Sequence, residues 1–169
     1  LSRDQRDEAG AQAKALRERK PDSPYADQAE LALARSALER RDLDGAATLL
    51  RGVADRSQDA ELRQVARMRL ALVLIEQGKH DDALALLDPV AGSAFAPLVH
   101  ELRGDALAAK GDAAAARREY EAALAGAAAD GSLDREFVEL KRDALPAVAA
   151  APSGPAPDAA PVATGAPAK

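Results

Sequence analysis

The sequence predicts an all-α fold, a right-handed superhelix of helical hairpins, on three observations. First, one apolar stripe is written three times: Ala46, Leu49, Leu50 and Val53, then Ala83, Leu86, Leu87 and Val90, then Ala116, Tyr120 and Ala123 with Glu119 as the odd member. Residues at i, i+3, i+4 and i+7 share one face of an α-helix. Second, each stripe follows a short polar turn, at 40–45, 77–82 and 110–115. Before each turn runs another helical stretch, with a small residue twelve positions ahead of the stripe's alanine: Ala34, Ala71 and Gly104. Third, hydrophobic residues make up 47 % of the chain but aromatics only 2 %, so the core is built from Leu, Ala and Val. That composition suits close-packed helices and suits strands poorly. Helix, turn, helix, three times over, describes units that bury their apolar faces against one another.

The elements follow in order. Residues 2–20 read as a charged helix with a thin apolar edge of Ala9, Ala13 and Leu16, ended by Pro21 and Pro24. It packs that edge on the first repeat, and residues 1–24 form an N-terminal helix and linker. A repeat domain spans 25–145. Helix 25–41 carries Ala26, Leu33, Ala34, Ala37 and Leu38, and helix 43–56 carries the first stripe. Helix 60–77 is followed by 80–90, closed early by Pro89 and Gly92. Helix 96–110 opens with Pro97 at or near N1, where the missing N–H of proline costs nothing. Asp112 is the expected N-cap of helix 112–127, after Gly111. A last helix, 133–145, sets Leu133, Phe137, Leu140 and Ala144 on one face and is expected to cap the open end of the stack. From Pro146 to Lys169, six of 24 residues are proline and ten are alanine. Such a stretch forms no core and reads as a disordered, partly polyproline-like tail, a spacer or a plain terminus.

Bulk properties exclude several functions. At 169 residues the chain is long enough for one domain with a real core. A net charge of −5 argues against a nucleic-acid partner, and the absence of cysteine excludes disulfides and thiolate metal sites. No run approaches the roughly 18 apolar residues of a membrane span; the longest in the helical part is LALVLI, 70–75. The chain starts at Leu1 without an initiator methionine, so a membrane anchor is expected, if at all, ahead of this sequence. His100-Glu101 begins like a zinc-protease helix but lacks the second histidine four residues on. His80 sits beside Asp81 and Asp82 as an N-cap or a solvated turn residue. No Gly-rich phosphate cradle, GxSxG motif or nucleophile–base pair is present, so neither enzyme activity nor a cofactor is expected. The arginine pairs Arg40/Arg41 and Arg117/Arg118 read as solvated charge at helix ends or outer faces.

Spacing identifies the repeat. Ala46, Ala83 and Ala116 stand 37 and then 33 residues apart. These values bracket the tetratricopeptide unit of about 34 residues, with a small residue in its first helix and an Ala, aromatic, Ala pattern in its second. Gly104, Ala116, Tyr120 and Ala123 fit that pattern best. Such domains bind other proteins. The chain has no asparagine, which argues against a clamp for C-terminal carboxylates built from Asn and Lys side chains.

Helix 60–77 is apolar on two faces. Leu62, Ala66, Leu70, Val73 and Leu74 point to the core, while Val65, Met68, Leu72 and Ile75 fall where a tetratricopeptide stack presents its concave surface. Either neighbouring segments cover this second stripe or it lines a groove for another polypeptide. Burying Met68, Leu72 and Ile75 against a guest would contribute roughly 1.5–3 kcal/mol each before ordering costs. Leu31, Arg35 and Leu38 flank the groove on one side, with Glu101 and Asp105 on the other, giving it a basic and an acidic end.

The stretches PYADQAELALA (24–34), RMRLALVLIEQGKHDDALALLD (67–88) and LRGDALAAKGDAAAARREYEAAL (102–124) resemble the YfgM family, the ancillary subunit of the bacterial SecYEG translocon. The resemblance runs over residues 13–145. It implies a domain on the periplasmic face of the inner membrane, attached only through an N-terminal anchor absent from this chain. The implied partners are the SecYEG translocon, a PpiD-type periplasmic chaperone, and unfolded or extended client polypeptides, with no enzyme activity. The Ala/Pro tail is not part of the resemblance. A homo-oligomeric scaffold, such as a homodimer built on the same apolar concave face, is the alternative.

Overall fold

A computed structural model describes residues 3–87, 95–127 and 133–146. Within them lie eight α-helices: α1 (Arg3–Arg19), α2 (Pro24–Glu39), α3 (Leu43–Arg56), α4 (Ala60–Glu76), α5 (His80–Leu87), α6 (Ala96–Ala109), α7 (Ala113–Gly126) and α8 (Arg135–Asp143). The predicted tail, together with Val90, Pro89 and Gly92 at the expected end of the fifth helix, lies outside the described residues.

The three hairpins are α2–α3, α4–α5 and α6–α7, and the same turn closes each. Arg41, Gly78 and Gly111 take left-handed backbone, with φ of 63°, 75° and 85°. Their N–H groups donate to Leu38, Ile75 and Ala108, and the next residues donate to Ala37, Leu74 and Leu107. This paired bonding satisfies the carbonyls that a helix end leaves free. Asp42 and Asp112 then cap the following helices by accepting from the backbone N–H of Gly45 and Ala115. In the middle hairpin Lys79 stands at the corresponding position. His80 opens α5 rather than capping it, with Nδ1 buried and lacking a hydrogen-bond partner.

The repeated stripes form the core. Ala46, Leu50 and Val53, Ala83 and Leu87, and Ala116, Tyr120 and Ala123 are all buried. So are the small residues that register opposite them, Ala34, Ala71 and Gly104. Each hairpin packs on the next, and the first helices α2, α4 and α6 also touch one another directly. The second helices make no comparable contact among themselves, so the stack bends with α2, α4 and α6 on its inner wall.

The first helix is held more firmly than a thin apolar edge implies. Ala13 is buried and Ala9 and Leu16 are half-buried, but the main tie is ionic. Arg17 donates to Asp27 at 2.5 Å and to Glu30 at 3.0 Å. Asp27, only 1 % exposed, also accepts from the Ser57 hydroxyl at 2.5 Å. Burial alone would lower the Arg17 pKa, but the bonds to Glu30 and Asp27 outweigh it and the net shift is upward.

The last helix corrects an expectation. Phe137 and Leu140 are 49 % and 65 % exposed, while Val138 and Leu133 are buried. Leu133 precedes the helix, because Asp134 caps it by accepting from the Phe137 N–H. A residue before the cap packs with the fourth helical residue, here Val138. That staple fixes the rotation of α8 and turns Phe137 and Leu140 outward. Arg117 is also not simply solvated, since it donates to the Leu145 carbonyl.

Candidate functional site

The inner wall carries two adjoining hollows. The first, of about 290 Å³, is lined by Leu31, Ala34, Arg35, Leu38, Leu50 and Arg69. The second, of about 440 Å³, lies between α4 and α6 and takes in Val65, Met68, Leu72, Leu98 and Leu102. Arg69 borders both. Helix periodicity explains the arrangement: Val65, Met68, Arg69 and Leu72 fall at i, i+3, i+4 and i+7 on the face of α4 opposite Ala66, Leu70 and Val73. Leu72 is 49 % exposed on this face, an apolar side chain that the described segments leave half open.

Of the nine residues the sequence nominates, eight line this wall. Leu31, Arg35 and Leu38 meet at the first hollow, and Val65, Met68, Leu72, Glu101 and Asp105 at the second. Ile75 lines neither and packs half-buried against the main core. Sequence reading missed Arg69, Leu98, Leu102 and Lys141. The helical spacing of Arg69 from Val65 and Leu72 was the available signal for it.

The expected acidic end is weakened, because Glu101 and Asp105 share one lysine that balances one of their two charges. Lys141 of α8 donates to Glu101 at 2.8 Å and to Asp105 at 2.9 Å, and the Tyr120 hydroxyl donates to the other Asp105 oxygen at 2.8 Å. Burial works to lower the Lys141 pKa, yet the bonds to Glu101 and Asp105 prevail and raise it. Burial and the Asp105 bond both push the Tyr120 hydroxyl well above its ordinary value. The Lys141 ammonium also sits 4.6 Å from the centroid of the Phe137 ring, which places exposed Phe137 at the rim of the hollow.

His100 is not a lone exposed histidine. Its Nδ1 lies 2.7 Å from Glu119, which also accepts from Arg103 at 3.0 Å. The odd member of the third stripe is therefore an ionic tie between α6 and α7. Among the described residues no cluster of His, Asp or Glu has metal-site geometry, and no helix is long and apolar enough to cross a membrane.

Comparison with known proteins agrees with this architecture. The chain matches the tetratricopeptide repeat-like domain model over residues 1–147. It is 35 % identical over 138 residues to the ancillary SecYEG translocon subunit of Neisseria gonorrhoeae, covering 82 % of this chain and 66 % of that protein. It is 40 % identical over 101 residues to the ancillary SecYEG translocon subunit of Escherichia coli, covering 59 % and 48 %. A third relative, of the same description in Haemophilus influenzae, is 32 % identical over 121 residues. The chain thus spans about two thirds of the first relative's length and about half of the second's. No solved structure matches it significantly. A stack of three helical hairpins with a match across residues 1–147 leads to one conclusion: the chain belongs to the tetratricopeptide repeat-like domain family and is similar to ancillary SecYEG translocon subunits.

Proposed function

We propose that this chain is a non-enzymatic polypeptide-binding domain that works beside the SecYEG translocon on the periplasmic side of the inner membrane. In this reading it partners a PpiD-type chaperone and receives extended segments of newly exported proteins in the α2–α4–α6 groove. The observation that carries the reading is Leu72, half-exposed over an apolar hollow of about 440 Å³ on the inner wall. An exposed apolar patch in a concave, preformed site is the usual mark of a protein contact. The names of the similar proteins supply the translocon context.

The test is capture of the native full-length protein from membranes in mild detergent. Translocon subunits and a PpiD-type chaperone should co-purify from wild type and diminish with Leu72→Glu. Their absence from the wild-type capture would overturn the proposal. A homodimer is a second reading, favoured by the exposure of Phe137 and Leu140 on α8. Light scattering on the purified chain decides it, through a mass that rises with concentration and reverts with Leu140→Glu.

A further inference from the structure

We infer that the groove selects guest segments in which apolar side chains flank a carboxylate, and that Arg69 is the residue that reads the carboxylate. The inference rests on the groove-binding reading and deepens it by naming the chemistry of the guest. Four ionisable groups border the second hollow: Arg69, Glu101, Asp105 and Lys141. Three of them form one cluster, in which Lys141 bonds both acids and balances one of their two charges while Tyr120 takes the remaining Asp105 oxygen. Arg69 stands apart. It is exposed, borders both hollows, and has no ion-pair partner among the described residues.

On the side of the first hollow the other charge is Arg35, whose partner Glu39 lies 3.3 Å away on the same exposed helix face. The charges bordering the second hollow balance one another, as do Arg35 and Glu39, so what sets the centre of the groove apart is Arg69, a cation left without an ion-pair partner among the described residues. A guest that is only apolar would cover the Arg69 guanidinium without pairing it, which costs binding energy. A lysine in the guest would meet like charge at Arg69. A glutamate or aspartate would form a charge-assisted, fork-shaped pair in a site partly shielded from water, where such bonds are stronger than on an open surface. Apolar pockets on both sides of Arg69, lined by Leu31 and Leu38 on one and Met68 and Leu72 on the other, set the pattern apolar, acidic, apolar.

The experiment uses the full chain and three labelled leucine-rich peptides, identical except for a central glutamate, glutamine or lysine. Binding is followed by fluorescence anisotropy at two salt concentrations. The glutamate peptide should bind about tenfold more tightly than the glutamine peptide, with the lysine peptide weakest. The preference should shrink at high salt and vanish in Arg69→Gln, whose fold is checked by its helical circular dichroism. Equal binding of all three peptides to wild type overturns the inference, and so does a glutamate preference that survives in Arg69→Gln. If the peptides bind equally and Leu72→Ser weakens all of them, groove binding stands while the selectivity falls. If none binds, both fall. A groove filled by a second copy, seen as a dimer that the glutamate peptide does not dissociate, also overturns the inference.

Discussion

Gly104 of α6 lies directly against the ring of Tyr120 in α7, so close that a Cβ added to the glycine would stand 2.4 Å from the tyrosine Cε1. In the other two hairpins the corresponding pairs are Ala34 with Leu50 and Ala71 with Leu87. The third hairpin exchanges a methyl group on one helix for an aromatic ring on the other. That ring brings a hydroxyl to Asp105, which a leucine cannot do. Gly104→Ala gains about 1 kcal/mol of helix propensity but must displace a buried ring, an overpacking cost of about 1–3 kcal/mol. Net destabilisation of up to about 2 kcal/mol is expected in urea unfolding, and the double variant Gly104→Ala, Tyr120→Leu should recover part of it.

The three hairpin turns make a second prediction. Two of them place glycine at the left-handed position, and the first places Arg41 there at a φ of 63°. A residue with a Cβ pays about 1–2 kcal/mol in that region. Among the described residues the Arg41 side chain is tied by an exposed ion pair with Glu76 at 3.3 Å, a kind of contact worth at most about 1 kcal/mol. Arg41→Gly should therefore stabilise the chain by about 0.5–1 kcal/mol, read as a higher urea midpoint at unchanged slope.

Removing Arg17 should release α1 rather than unfold the stack. Its guanidinium is the partner of buried Asp27 and of Glu30, and stripping one side of a buried pair costs about 3–5 kcal/mol while the other stays buried. Undocking of α1 re-exposes Asp27 to water and caps that cost. Arg17→Met should accordingly accelerate proteolysis and hydrogen exchange across residues 3–19, with a small change in the global melting temperature.

The upward pKa shifts of Tyr120 and Lys141 predict alkaline lability at the C-terminal end. A group whose folded pKa lies above its unfolded value contributes stability that is complete below the unfolded pKa. That contribution is lost as pH rises through the folded one. The ordinary values are about 10 for tyrosine and about 10.4 for lysine, so the loss should begin near pH 10 and grow above it. Thermal melts between about pH 8 and pH 11 should show the fall, and Tyr120→Phe should flatten part of it.

Much of this fold was legible from local rules. Ala, Leu and Val at helical spacing, bounded by Pro24, Gly78, Gly111 and Asp112, place the described helix boundaries within about two residues of those observed. What escaped depends on contacts between distant parts of the chain. Leu133, Phe137 and Leu140 look like one helical stripe, but Asp134 starts the helix after Leu133, and the Leu133–Val138 staple then rotates the other two outward. Lys141 joins Asp105 and Glu101 from 36 and 40 residues away. No periodicity within one helix encodes that partial neutralisation, so the groove's charge could not be read without the packing. The apolar part of the wall was legible, because Val65, Met68 and Leu72 declare their shared face in their spacing.

The packing of α8 supplies a further check. Val138→Ala should cost about 1–3 kcal/mol, since it empties a buried site, whereas Leu140→Ala on the exposed side should stay within about 0.5 kcal/mol of wild type.

The account comes down to whether the inner wall around Leu72 touches another polypeptide during export. A photoreactive residue placed at position 72 of the membrane-bound protein in living cells asks this directly, with Thr48, exposed on α3, as the control position. Adducts to a chaperone or to exported chains from position 72, and few or none from position 48, are the predicted result. Equal labelling from both positions, or no adduct at 72 while translocon subunits still co-purify, would contradict the groove as the working surface.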